Sequence, residues 1–183
     1  MANPSSLAGI VLAAGAGTRF GGPKAPYLYE GQRLVDRAVS LMREAELDPV
    51  IVVLGSWTGA VPHCETVINP DFEQGLASSL AYGLDYLRTH HQQTPGVIIT
   101  LVDLPFIRSS TIRLLVDSES DLAQAHFHGE PGHPVKIGAR YWSAVMEQLN
   151  GDTGAKEFLR THHAEAIEIN DPGIVQDLDQ RPS

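Results

Sequence analysis

Three short apolar runs constrain this chain more than any other feature: residues 7–13 (LAGIVLA), 49–54 (PVIVVL) and 96–102 (GVIITLV). Each is continuous rather than alternating, so each suits a strand buried on both faces, as in a parallel sheet covered by helices. The stretches between them supply the helices. Leu34, Val35, Ala38, Val39, Leu41, Met42 and Ala45 fall on one stripe at helical spacing, and Leu76, Leu80, Ala81, Leu84 and Leu87 on a second. Ser109 is the expected N-cap of a third helix carrying Ile112, Leu115 and Val116. Strand, helix, strand, helix, strand predicts right-handed βαβ crossovers and an α/β fold, a doubly wound, mostly parallel sheet with helices on both faces.

The second half is less regular. Residues 121–128 and 133–137 read as short strands joined by a Gly129-Glu130-Pro131-Gly132 turn. A helix with Tyr141, Trp142, Val145, Met146 and Leu149 follows and stops at Asn150-Gly151, after which Asp152 is expected to cap a helix bearing Phe158 and Leu159. Residues 164–169 read as the last strand. With no repeat, low-complexity tract or linker, one domain is expected over residues 1–183, a length that buries roughly 70% of the unfolded surface.

Charge and cysteine usage exclude some classes. A formal net charge of −9 argues against a nucleic-acid surface. The apolar stretch at residues 7–16 is too short to span a bilayer and no Lys or Arg precedes it, so neither a membrane partner nor a secretion signal is expected. The one cysteine, Cys64, has no internal partner, which fits a reducing, cytoplasmic setting and reads as a half-buried thiol near a strand edge.

The first apolar run leads directly into the most informative segment, residues 12–24 (LAAGAGTRFGGPK). Gly15, Gly17, Gly21 and Gly22 let backbone N–H groups approach phosphate oxygens, and Arg19 and Lys24 offset their charge. In an open α/β sheet this loop falls at the carboxyl end of the first strand, where ligands bind. A Walker P-loop requires Gly-Lys-Ser/Thr, whereas Pro23 precedes Lys24 and Ala25 follows it. A dinucleotide fingerprint is broken by Phe20 at the third glycine position, and Val53-Leu54-Gly55-Ser56 offers no acid for a ribose hydroxyl. A purely structural turn leaves an Arg and a Lys among four glycines unexplained.

Asp103 follows the third apolar run, and a carboxylate at that strand's end is expected to face the same crevice as the loop. Because Mg²⁺ is commonly held by one or two carboxylates plus phosphate oxygens and water, Asp103 alone could anchor it. Gly75, Ser78 and Ser79 open the helix beginning near Leu76; their hydroxyls and N–H groups face either a nucleotide base and ribose or simply the helix end.

The loop resembles the signature of the Rossmann-like nucleotidyltransferases, most closely those that attach a nucleotide to molybdopterin, and among them the molybdenum cofactor cytidylyltransferases. The resemblance recurs, in the family's order, at residues 69–84 (NPDFEQGLASSLAYGL), 101–106 (LVDLPF), 132–137 (GHPVKI) and 151–159 (GDTGAKEFL). It implies a nucleotidyltransferase-type fold and nucleotide contacts from Ala13, Ala14, Gly15, Ala16, Gly17, Thr18, Arg19, Lys24, Gly75, Ser78 and Ser79. It implies catalytic roles for Arg19, Lys24 and Asp103, and Mg²⁺ held by Asp103 with Asp177 of the tail. The implied reaction is attack of a terminal phosphate of molybdopterin on the α-phosphorus of a nucleoside triphosphate, CTP before GTP, with release of pyrophosphate. Guanylyl-transferring relatives typically begin the loop Leu-Ala-Gly-Gly and carry an Asp before the Lys, where this chain has Leu12-Ala13-Ala14-Gly15 and Gly22-Pro23-Lys24. A phosphate nucleophile is already anionic, so no strong general base is required; alignment and charge neutralisation suffice.

His126, His128 and His133 lie close in sequence, but without cysteines or a shared helical face they read as surface or substrate-facing side chains rather than zinc ligands. The resemblance puts His133 beside the acceptor. Two departures concern that acceptor: Lys156 replaces the family's usual Arg, and the tail reads Asp177-Leu178-Asp179-Gln180-Arg181-Pro182 in place of Asp-x-Asp-Thr-Pro. Two other classes stay open, an NAD(P)H-dependent oxidoreductase on the same fold and a nucleotide-binding accessory protein in transient contact with a molybdenum hydroxylase.

Overall fold

The computed structural model describes residues 6–180. Arg181 and Pro182, part of the altered tail, lie outside them. In chain order the elements are β1 (Ala8–Ala13), β2 (Leu28–Tyr29), β3 (Gln32–Arg33), α1 (Leu34–Glu44), β4 (Val50–Leu54), β5 (Glu65–Ile68) and α2 (Leu76–His90). β6 (Gly96–Leu101), α3 (Ser109–Asp117), β7 (Leu122–Phe127), β8 (Glu130–Gly138), α4 (Trp142–Gln148), α5 (Lys156–Thr161) and β9 (Glu165–Glu168) follow.

Seven strands form one sheet in the order β5-β4-β1-β6-β8-β7-β9. β1 runs parallel to both β4 and β6, with Gly9 opposite Val50 and Ile98. β8 runs antiparallel to β6 and β7, so the sheet is mostly parallel but reverses locally in its second half. Side chains alternate across β1: Ile10 and Leu12 pack with α2, α4 and α5, while Val11 and Ala13 pack with α1 and α3. Both faces are therefore covered, and every residue of β1 and β4 is buried, which accounts for their continuous apolar runs.

Several local expectations are corrected. Ser109 is the first helical residue of α3; the N-cap is Arg108, and no side chain caps the helix. The hairpin between β7 and β8 turns on His128 and Gly129, both at positive φ (52° and 79°), so Glu130, Pro131 and Gly132 belong to β8 rather than to the turn. A two-residue loop with both central residues at positive φ matches the right-handed twist of the flanking strands. Asp152 does not cap α5, whose N-cap is Ala155. β5 and the β2–β3 ribbon have no counterpart in the apolar pattern, because β5 is a sheet edge with every second residue exposed.

Candidate functional site

The carboxyl ends of β1, β4 and β6 meet around a cavity of about 530 Å³ lined by residues 12–19, Lys24, Gly75, Leu76, Ser79, Asp103 and Asp152, with Phe72 at one side. The loop after β1 holds its shape by backbone contacts. The Gly22 N–H donates to the Gly17 carbonyl at 3.0 Å, and Gly17 has φ +60° with the Gly22 carbonyl oxygen where a Cβ would lie. Any side chain at 17 would force that turn open. Phe20 anchors the loop from below: it is 4% exposed and meets Tyr27 edge-on at 4.8 Å. The end of β4 braces it from the side, where the Ser56 N–H donates to the Ala14 carbonyl at 3.0 Å and the Ser56 hydroxyl to the Gly15 carbonyl at 2.7 Å. These bonds occupy the place at the β4 end where a dinucleotide fold would present an acid to ribose.

Lys24 and Asp103, 79 residues apart in sequence, are brought together here. Lys24 Nζ donates to Asp103 Oδ2 at 2.8 Å, with both side chains largely buried. Asp179 Oδ1 stands 3.6 Å from the same ammonium. The tail is held in register because the Leu178 N–H donates to the Asp103 carbonyl at 2.8 Å and the Leu178 side chain is buried. Asp177 also faces this group: burial first, then the charges of Asp179 and Asp103, push its carboxyl above its ordinary value. Two carboxylates thus contact one ammonium, and a third, Asp177, is near enough to feel their charge. Asp179 was missed at the sequence level because the broken Thr-Pro signature gave no reason to prefer one tail acid over the other. Arg19 is exposed on the loop and has no partner among the described residues.

The serines after Gly75 divide. Ser79 is buried, lines the cavity and accepts from Asn69 Nδ2 at 3.0 Å. The Ser78 hydroxyl accepts from the same amide at 2.9 Å and donates to the Asp71 and Gly75 carbonyls, so it organises the turn before α2 and does not line the cavity. Asn69, fully buried, sets both hydroxyls; an asparagine amid turn residues carried no signal of that role.

A second cavity of about 340 Å³ adjoins the first, sharing Leu12, Leu76 and Asp152 and adding Gln124, His133 and Lys156 over an apolar floor. Burial lowers the His133 imidazole from 6.5 to about 4, against the opposing pull of Asp103. The folded value lies below the unfolded one, so between those pH values the unfolded chain binds more protons and stability falls as pH falls. Acidification from pH 7 to pH 4 should therefore cost at most about 3 kcal/mol through this group. Denaturant melts of wild type and His133→Gln at pH 7 and 4.5 check this: the variant should lose less stability, and equal losses would contradict it.

The remaining candidates lie elsewhere. His126 is in β7 and His128 in the hairpin turn, and among the described residues no three His, Cys, Asp or Glu side chains gather as a metal cluster. The Cys64 thiol contacts the Val61 carbonyl at 3.6 Å outside both cavities, and burial raises it to about 11, far from a reactive thiolate. Among the described residues no helix is long and apolar enough to cross a membrane.

A glycine-rich loop leaving an interior strand of such a sheet, with the lysine at its end paired to an aspartate at the end of the neighbouring strand, suits a nucleotidyltransferase architecture. The chain belongs to the MobA-like NTP transferase domain family, whose model matches residues 9–166. It is 32% identical to the nicotine blue oxidoreductase of Paenarthrobacter nicotinovorans, covering 94% of this chain and 92% of that protein. It is 24% identical to the molybdenum cofactor cytidylyltransferase of Escherichia coli (strain K12), covering 96% and 92%. In structure it is similar to Rv0371c of Mycobacterium tuberculosis H37Rv, with TM-score 0.80, 23% identity and coverage of 96% and 94%; a manganese complex of Rv0371c matches with TM-score 0.72, 22% identity and coverage of 90% and 88%.

Proposed function

We propose that this protein transfers a nucleotidyl group, CMP in preference to GMP, from a nucleoside triphosphate to a phosphorylated acceptor of the molybdopterin type. The observation that carries this reading is the joining of Lys24 and Asp103 beside the glycine-rich loop, in a cavity that adjoins a second one, so that there is room for two substrates. The triphosphate occupies the first cavity and the acceptor the second, within reach of His133 and Lys156. An acceptor phosphate oxygen attacks the α-phosphorus, the bond to the bridging β-phosphate oxygen breaks, and pyrophosphate leaves. Lys24, Arg19 and the loop N–H groups neutralise the charge that develops on the leaving group. Asp103 and Asp177, with Asp179 beside them, are the residues that would hold Mg²⁺, which when bound supplies further charge neutralisation at the phosphates. The whole chain acts as one catalytic unit. The lone cysteine agrees with a cytoplasmic setting.

Arg19→Ala should weaken triphosphate binding about 10- to 100-fold and monophosphate binding less, because an unpaired guanidinium on the loop is placed for the β- and γ-phosphates. Calorimetric titration with CTP and CMP reads this; equal losses for both would place Arg19 elsewhere.

The preference for CTP rests on Ala14. Its methyl is buried, and a Cβ at Gly55 would collide with both it and Phe72, so this side of the cavity is tightly closed and suits the smaller ring. Competition between CTP and GTP with Mg²⁺ decides: equal or tighter GTP binding would refute the pyrimidine pocket. A second reading, NAD(P)H-dependent oxidation or reduction, is favoured by the similarity to the Paenarthrobacter nicotine blue oxidoreductase. The absence of an acid at the β4 end, where Gly55 and Ser56 pack against the loop instead, weighs against it.

A further inference from the structure

Asp152 is a carboxylate on the wall common to both cavities. The turn that carries it is fastened in place. The Ala77 N–H donates to the Gly151 carbonyl at 2.9 Å, the Thr153 hydroxyl to the Asn150 carbonyl at 2.9 Å, and the Lys156 N–H to the Thr153 carbonyl at 3.1 Å. Gly75, with φ +99°, lies against it so closely that a Cβ there would collide with Asp152 Oδ1. The carboxylate of this exposed residue thus lies beside the backbone where α2 begins. It has no hydrogen-bond or ion-pair partner among the described residues.

An anion at this place cannot serve a phosphate, which it would repel, and the cations Arg19 and Lys24 already mark the phosphate end of the cavity. Ala14 and Phe72, against the end of β4, mark the base end. Between base and α-phosphate a nucleotide presents its ribose, whose two hydroxyls are donors in need of an acceptor. We propose that Asp152 accepts hydrogen bonds from the ribose hydroxyls of the bound triphosphate, and so selects ribonucleotides over their deoxy analogues. Asp152 also lines the acceptor cavity. This assignment rests on the nucleotidyl-transfer reading.

The test is binding of CTP and GTP, each against its 2′,3′-dideoxy analogue, with Mg²⁺, to wild type, Asp152→Ala and Asp152→Asn. Hydrogen bonds to a charged acceptor predict that wild type binds the ribonucleotide about 10- to 100-fold tighter than the dideoxy form. In Asp152→Ala the ratio should fall below about threefold, through weaker ribonucleotide binding with the dideoxy affinity unchanged. Asp152→Asn keeps the shape of the turn and should give an intermediate ratio. A wild type with no ribose preference, or a ratio unchanged in either folded variant, would overturn the assignment and leave nucleotidyl transfer standing. Failure of wild type to bind either triphosphate would instead overturn that reading and this one with it.

Discussion

Asp103→Asn is expected to lower metal-dependent pyrophosphate release by more than about a hundredfold while leaving the chain folded. The backbone at 103 is fixed independently of its side chain: its carbonyl accepts from Leu178, and the preceding Val102 N–H donates to Leu12 at 3.1 Å. An asparagine keeps that geometry and can still accept from Lys24, so the substitution removes charge and metal affinity rather than shape. Pyrophosphate assays at matched Mg²⁺, with a thermal melt as control, read the two effects separately. Turnover above about a tenth of wild type would contradict the metal-holding role that this account gives Asp103.

Lys24→Ala should have the next largest effect, with triphosphate affinity falling about 10- to 100-fold and monophosphate affinity far less. The ammonium pairs with Asp103 and Asp179, so its loss removes a phosphate contact and also leaves those two carboxylates uncompensated before the incoming triphosphate. Lys24→Arg would not restore the wild type fully, because a planar guanidinium cannot reproduce a compact ammonium wedged against the Phe20 ring at 5.7 Å. Unchanged CTP affinity in Lys24→Ala would show that the loop is not the phosphate cradle.

Much of this arrangement was legible in the sequence. β1, β4 and β6 are buried on both faces, so their apolar runs betrayed them, and once these are parallel neighbours the glycine-rich loop and Asp103 must share an end of the sheet. The hairpin of β7 and β8 was legible, but its turn falls at His128-Gly129, and the antiparallel pairing of β8 with β6 was not legible, because only the tertiary fold brings those strands together. Ser78 and Ser79 looked equivalent, yet a buried Asn69 amide sends one to the turn and leaves the other on the cavity. Asp152 was read locally as a helix cap because its true neighbour, Gly75, lies 77 residues earlier in the chain and only the tertiary fold brings them together.

The most direct test of nucleotidyl transfer is a binding panel of CTP, GTP, ATP, UTP and NAD(P)H, each with and without Mg²⁺, followed by thermal melting. A ligand at about 100 times its dissociation constant should add roughly 2.7 kcal/mol of stability. CTP should stabilise most, Mg²⁺ should strengthen the effect, and Asp103→Asn should abolish the Mg²⁺ increment. Strong stabilisation by NAD(P)H without Mg²⁺, with none by any triphosphate, would contradict nucleotidyl transfer.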